Sequence, residues 1–198
     1  MSTIRSIAPI RLRLVVLLMP LCIPGSLSAA DPQPFSSLQV QLQTAVDVSR
    51  NRLHRYWQPA TGVGLVVSTP FYFGAVEVAI RTLYYRSTAQ NVPGFQSMFG
   101  FLGWSSGLDL PADWRLVGGL GIGDNHLYFG RDVVNPLEGE LCTRTMVRLE
   151  RPIGERYLFT LTASREIVFT YRRIKLTFIA AGIGGRIAAP GWFQEFLR

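Results

Sequence analysis

The side chains of this sequence that could carry out chemistry are mostly acids and arginines at alternating positions. The candidates for one shared polar face are Asp47, Glu77, Arg81, Arg115, Glu138, Glu140, Arg144, Arg148, Glu150 and Arg156. Such a face could move protons or small ions, supply a catalytic carboxylate pair, or hold ion pairs in place of an apolar core. Because no spacing singles out one pair of acids, we expect an ion-pair network, with glutamates and arginines of neighbouring strands in contact.

Acyl chemistry on lipids is the second possibility, and it requires a nucleophile beside a base. His126, which follows Asp124 and Asn125, is a candidate base, and Ser164 is a candidate nucleophile. Sequence separation gives no geometry for the two residues, and no motif of lipid A deacylases or palmitoyl transferases is present. The simpler expectation for His126 is a solvated loop residue, so we assign no catalytic residue.

The elements that must position these groups are β-strands. Between residues 137 and 150 the apolar or threonine positions alternate with charged ones, beginning with Leu137 and Glu138 and ending with Leu149 and Glu150. Successive side chains of a strand point to opposite faces, so this segment has one apolar wall and one charged wall. Both a soluble sheet and a strand between lipid and a polar lumen show such a pattern.

The first thirty residues indicate that the chain is exported. Arg5, Arg11 and Arg13 precede an apolar run over 14–23 and then small residues up to Ala30, which is typical of a secretory signal peptide. The run is too short to span a bilayer as a helix. We therefore predict a signal peptide over 1–30 and an exported chain that begins at Asp31.

Export changes what composition implies. The leader holds three of the 20 basic residues and none of the 13 acidic ones, so much of the positive charge is lost with it. The remaining basic residues are scattered among acids, which excludes a nucleic-acid footprint. Cys142 is then the only cysteine, so no internal disulfide can form, and with two histidines no transition-metal site is expected. We predict no cofactor.

Seven further segments obey the same period of two. Strands are predicted over 38–48, 62–68, 76–85, 95–106, 114–123, 137–150, 157–164 and 175–188, and the seventh of them can continue to Phe169. Residues 38–48 also fit an amphipathic helix, and the register of 95–106 is open because both of its faces are apolar. Gly119, Gly121 and Gly123 leave one face of the fifth strand almost bare, which makes room beside bulky residues such as Arg148.

The connections between these strands alternate in length. Tight turns are predicted at 70–74, 109–113 and 152–155, and longer loops at 49–60, 87–94 and 123–136. Outer-membrane barrels have short periplasmic turns and longer outer loops, and an even strand number returns both termini to the periplasm. The sequence therefore predicts an all-β fold: a closed, antiparallel, up-and-down transmembrane barrel of about eight strands with a polar lumen filled by side chains.

Aromatic residues are predicted to form two interfacial girdles, where a ring gains from having one wet end. One girdle includes Phe71, Tyr72, Phe73, Trp114 and Tyr157, and the other includes Tyr84, Phe95 and Tyr171. Trp192, in the tail, is a further interfacial candidate. Ordinary core aromatics in a secreted sandwich are the alternative interpretation.

Over residues 38–188 the chain resembles the small eight-stranded outer-membrane barrels of Gram-negative envelopes, in pattern and spacing and without a signature motif. Such barrels commonly end on an aromatic residue of the last strand, whereas this chain continues to Arg198. We predict a barrel domain over 31–189 and a short periplasmic tail over 190–198, either an amphipathic helix or a disordered segment.

The function that follows is an integral outer-membrane protein with a structural, adhesive or envelope-maintenance role through its outer loops, and not an open pore. We expect a monomer whose partners are outer-membrane lipids and, during assembly, the insertion machinery; the ligand of the loops is not specified. The alternatives are a lipid-modifying enzyme of the outer membrane and a secreted binding barrel for a hydrophobic ligand.

Overall fold

Antiparallel strands make up most of the computed structural model, which describes residues 33–90, 92–129, 137–154 and 156–196. The strands are β1 (Ser37–Asp47), β2 (Trp57–Pro59), β3 (Gly62–Phe71), β4 (Gly74–Ser87), β5 (Phe95–Leu110), β6 (Trp114–Phe129), β7 (Leu137–Ile153), β8 (Tyr157–Val168) and β9 (Ile174–Ala188). A 3₁₀ turn spans Leu53–Arg55, and helix α1 spans Gly191–Phe196. No helix within the described ranges is long and apolar enough to cross a membrane.

The sheet closes on itself as an eight-stranded, up-and-down barrel. The eight long strands pair in sequence order, from β1 with β3 to β8 with β9, and β9 pairs back with β1, which closes the sheet. The short β2 continues the line of β3 and pairs with the end of β4. The predicted fold class is confirmed, and residues 38–47 are strand rather than helix.

Side chains alternate between an outer apolar wall and the lumen, as the residue pattern of 137–150 predicts. On β7, Leu141 and Val147 are about half exposed, whereas Arg144 and Arg148 of the same strand are buried. On β5, whose register the sequence left open, Phe99 and Phe101 point into the lumen and Leu102 and Trp104 point outward. A closed sheet leaves no unpaired edge, which hydrocarbon surroundings require.

The tight turns fall where they were predicted. Left-handed backbone occurs at Tyr72 (φ 47°), at Ala112 and Asp113 (φ 60° and 61°) and at Gly154 (φ 66°). These turns lie at the same end of the barrel as both ends of the described chain, because Ser37 pairs with Ala188. We call this the short-turn end and the opposite end the loop end.

Two predicted loops are wrong in part: residues 57–59 of the predicted loop 49–60 form β2, and the predicted loop 123–136 also contains strand. Residues 123–129 are not loop but the end of β6, paired with β5 and β7 as far as Phe129 and Tyr128. The alternation of side-chain direction continues there, with Asn125 buried and Asp124 exposed. Because polar residues occupy both faces of this segment, a pattern of alternating apolar residues does not detect it as a strand. The rest of that loop, 130–136, lies outside the described residues, as does the predicted signal peptide over 1–30.

The tail forms the short helix α1 next to the start of β1. The Ala189 N–H donates to the carbonyl of Ser36, and the Gln194 side chain donates to the carbonyl of Ala189. Trp192 and Pro190 border an apolar cleft on the outer wall together with Leu38, Val67 and Val76. The boundaries of the leader and the periplasmic position of the tail stay predictions.

Candidate functional site: the charged lumen and the outer surface

The half of the lumen nearer the short turns contains a buried ion-pair cluster. The Arg148 guanidinium donates to Glu77 at 2.5 and 3.3 Å and to Glu150 at 2.7 Å. Ser105 donates to Glu77 at 2.6 Å, and Gln39 donates to Glu150 at 3.3 Å. Each carboxylate therefore has a cation and a neutral donor, which offsets the cost of removing the charges from water.

A second cluster crosses the lumen closer to the loop end. Arg81 of β4 forms a two-pronged pair with Glu166 of β8, at 2.9 and 2.6 Å, and Arg144 lies 4.0 Å from the same carboxylate. The Arg81 guanidinium lies 3.7 Å from the ring centre of Phe178, and that of Arg144 lies 4.2 Å from the ring centre of Phe101. These cations are thus held by both a carboxylate and aromatic faces.

Asp47 anchors a third polar group at the loop end. Its carboxylate accepts hydrogen bonds from the Tyr85 hydroxyl at 2.8 Å and from the Ser49 hydroxyl and backbone N–H. His54 Nε2 lies 3.3 Å from the same carboxylate. The group fixes the first loop over the mouth of the lumen, and Tyr85 stacks on Phe95 directly beside it.

The structure brings together only part of the charged set named from the sequence. Glu77, Arg81, Arg144, Arg148 and Glu150 are buried and in contact in the two clusters. Glu138 and Glu140 lie at the loop end and Arg156 lies exposed in a turn, so none of the three joins the clusters. Arg115 instead lies 3.6 Å from the exposed Asp109 at the short-turn mouth.

The expected contacts between neighbouring strands are mostly replaced by contacts across the lumen. Arg144 and Glu166 are on adjacent strands, but the pairs Arg81–Glu166 and Arg148–Glu77 join strands on different sides of the barrel. A narrow lumen allows this because an arginine side chain spans much of its width.

Glu166 is the buried acid that sequence analysis missed. It is completely buried and is the partner of Arg81. Thr160, Thr162 and Ser164 occupy the same face of β8, and the extension of this strand to Phe169 puts Glu166 on that face too, but Glu166 was not named as a candidate. A second missed feature is an aromatic and aliphatic plug at the loop end of the lumen, which includes Tyr85, Phe95, Phe99, Val168 and Phe178.

The two acyl-chemistry candidates point in different directions. Ser164 faces the lumen and is buried, whereas His126 lies on the outer wall of β6, near the loop end. The His126 ring is a partly exposed strand side chain and not a loop side chain: its Nε2 lies 3.1 Å from Asp124, and its Nδ1, beside Gly139, is buried and has no hydrogen-bond partner among the described residues. No Ser–His couple exists between these two residues.

An apolar groove on the outer wall begins beside this pair. Gly100 and Gly139 leave the space open, and the walls include Val78, Ile80, Leu102, Ile122 and Leu141. Asp124 lies at one end of the groove. No group of three metal-binding side chains occurs in the part of the chain that the structure describes.

The predicted girdle residues occupy the two ends, with one exception. Tyr72, Phe73 and Tyr157 are exposed at the short-turn end together with Trp192, and Phe71 and Trp114 lie there half-buried. Tyr84 and the fully exposed Tyr171 lie towards the loop end. Phe95 is the exception because it is buried in the lumen plug, where the first residue of β5 faces inward.

The chain has no match among family models or among curated proteins at the level of sequence. Its fold matches solved structures of small outer-membrane barrels. The N-terminal β-barrel domain of Pseudomonas aeruginosa OprF gives a TM-score of 0.56 at 11% identity and covers 78% of this chain and 100% of that one. Neisserial surface protein A gives 0.54 at 7% identity, covering 76% of this chain and 96% of that one.

The attachment invasion locus protein Ail of Yersinia pestis gives a TM-score of 0.50 at 13% identity, covering 77% of this chain and 99% of that one. Identities this low show the fold alone. The resemblance to small eight-stranded outer-membrane β-barrels is therefore confirmed as a resemblance of fold.

Proposed function

We propose that the chain is an integral outer-membrane β-barrel protein, closed to bulk flow, with a structural, adhesive or envelope-maintenance role exercised through its loop end. The observation that carries this proposal is the apolar outer wall. Large apolar side chains are exposed on every long strand, among them Leu42, Leu65, Ile80, Leu102, Leu120, Val147, Leu161 and Ile183. In water such a belt would drive association, whereas in a bilayer it faces its preferred solvent.

The lumen supports the closed form of the proposal. The two ion-pair clusters and the aromatic plug fill it in succession, and a cavity of about 170 Å³ opens at the short-turn mouth beside Arg115 and Glu150. Such a lumen also argues against a secreted barrel for a hydrophobic ligand, because that function requires an apolar interior.

Heat modifiability and cell fractionation test this proposal. A barrel folded in detergent migrates differently on a gel before and after boiling, and the protein is expected in the outer-membrane fraction of the cells that express it. The outer loops are tested by replacing residues 49–60 with a short glycine-serine turn, which we expect to leave the heat-modifiable band intact while reducing cell-surface adhesion or envelope integrity. A protein that behaves as a detergent-free soluble monomer would refute the proposal.

The Asp124–His126 pair favours one second candidate, a lipid-modifying enzyme. An imidazole held by a carboxylate beside an apolar groove on the outer wall could act as a general base on a lipid ester. This candidate predicts altered acylation of lipid A or phospholipids in expressing cells, with the change abolished in His126→Ala. Mass spectra that are identical with and without the protein would dismiss it.

A further inference from the structure

The loop end carries an uncompensated basic surface on one side of the barrel. We define the basic rim as six exposed residues, Arg50, Arg52, Arg165, Arg172, Arg173 and Lys175. None of the six forms an ion pair with any residue that the structure describes. No acidic residue occurs in 48–61 or 167–175, and the nearby Asp47 and Glu166 are buried and already paired.

Hydrogen bonds between the first loop and β9 assemble this surface. The Val48 N–H donates to the carbonyl of Thr177 at 2.8 Å, and the Thr177 N–H donates to the Ser49 hydroxyl at 2.7 Å. The Asn51 side chain donates to the carbonyl of Lys175 at 2.8 Å. Residues 48–51 are thereby fixed beside the start of β9, so residues far apart in sequence present their charges together.

Two cations of the rim lie on the outer wall of the barrel itself. Arg165 pairs with Thr177, and Lys175 pairs with Ile167, so the two side chains are diagonal neighbours on the outer face of β8 and β9. Below them towards the short-turn end, the same face continues with apolar residues such as Leu161, Ile179 and Ile183. The two cations therefore lie at the loop-end border of the apolar wall. In a membrane, the free-energy cost of placing a charge on the lipid-facing surface is lowest at such a border.

The charge on the loop end is distributed unevenly. Among the described residues of the loop end, the acids Asp124, Glu138 and Glu140 lie on β6 and β7, whereas the six cations lie on the first loop, on β8 and β9 and on the connection between them. Two adjacent like charges without an acid also repel one another, and a bound anion removes that cost.

We propose that the basic rim binds the phosphate groups of a phosphorylated lipid in the outer leaflet. The height of Arg165 and Lys175 at the end of the apolar wall favours a lipid over a soluble polyanion, which would contact loop tips alone. Arginine offers a two-pronged donor to phosphate, lysine adds a mobile point charge, and Thr177 supplies a hydroxyl between them. This proposal rests on the proposed location of the barrel in an outer membrane.

The test uses the refolded full barrel in nonionic detergent and bisphosphorylated lipid A as the probe, with bound lipid counted by native mass spectrometry. We expect the double variant Arg165→Gln/Lys175→Gln to bind lipid A more weakly by about tenfold or more, since each charged hydrogen bond to phosphate contributes measurably. The matched control Arg151→Gln/Arg156→Gln removes the same charge at the short-turn end and is expected to bind as the unmodified chain does.

Three results would overturn the proposal. Equal binding of lipid A stripped of its phosphates would assign the affinity to acyl chains. Competition by inorganic phosphate at the same concentration as lipid A would indicate a free-anion site. Loss of heparin binding in the rim variant, with lipid A binding unchanged, would assign the rim to a soluble polyanion. Heat modifiability of each variant shows that it is folded, and fractionation tests the location of the barrel independently.

Discussion

At the scale of single residues, the lumen of this protein depends on buried charges that lie beside a charge of opposite sign. Glu166 is the clearest case, because its carboxylate accepts two hydrogen bonds from Arg81 and lies 4.0 Å from Arg144. Such a pair adds little net stability compared with apolar packing, but removing one partner leaves a buried charge without compensation. Each arginine of the cluster also stacks on an aromatic ring, so its position is constrained from two sides.

Glu166→Gln is therefore expected to destabilise the barrel by about 3–5 kcal/mol, because the neutral amide leaves Arg81 and Arg144 without a counter-charge. The measurement is urea unfolding of the refolded protein in lipid vesicles, followed by tryptophan fluorescence. Asp109→Asn is the matched control, since it makes the same chemical change in the exposed pair with Arg115 at 3.6 Å. An exposed pair contributes about 1 kcal/mol or less. Similar losses in both variants would contradict this account of the lumen.

At the scale of strands, β6 shows how glycine positions set the shape of the lumen. Gly119, Gly121 and Gly123 face inward, and the side chains next to them include those of Met146 and Phe101. The residue predicted to fill this space was Arg148, which is not among their nearest neighbours. A Cβ at Gly123 would lie 2.7 Å from the Cα of Phe101, which is closer than such atoms approach in proteins. Gly118, on the outer face of the same strand, has nothing within 4 Å of the same position.

These two glycines give a paired prediction. Gly123→Val is expected to block folding or to reduce the folded fraction severely, because the added side chain meets backbone that cannot move without opening the sheet. Gly118→Val is expected to fold as well as the unmodified chain, since valine is a better strand former than glycine and faces open surroundings. The folded fraction is read from the heat-modifiable band after refolding. Equal yields from the two variants would show that the lumen at this level is not close-packed.

At the scale of the whole molecule, closure of the sheet and filling of the lumen act together. The closed hydrogen-bond network leaves no strand edge, and the interior is occupied by ion pairs near the short turns and by aromatic rings near the loops. Eight strands enclose a space that side chains can fill. A barrel with this interior has no open channel for solutes, so its contacts with other molecules are made by its outer surface.

Liposomes that contain the refolded barrel are accordingly expected to take up small sugars no faster than empty liposomes in a swelling assay. The buried pairs Arg148–Glu77 and Arg81–Glu166 block the lumen at two levels, so both would have to open for a solute to pass. A general porin in the same vesicles serves as the positive control. Sugar-dependent swelling above the empty-vesicle rate would refute the closed lumen.

The alternation of apolar and polar residues was enough to predict most strands. It failed where the outward face of a strand also carries polar residues. On β6 beyond Gly123 the outward residues Asp124 and His126 are polar, so the pattern no longer resembled a membrane strand although the ladder continues. On β8 the residues that follow Ser164 are charged on both faces, so Glu166 was not recognised as a member of the polar face. In both cases backbone pairing with two neighbouring strands overrides the preference of the side chains.

The sequence by itself determined which face of each strand is apolar, because side-chain direction alternates along any extended backbone whatever its partners. The parity of eight strands and the alternation of short and long connections then implied a closed barrel. Only the tertiary structure decided which charges meet, since Arg81 reaches Glu166 and Arg148 reaches Glu77 across a lumen whose width and stagger arise from closure. The same is true of the basic rim, which the first loop and the β8–β9 connection form together through hydrogen bonds that no local pattern encodes.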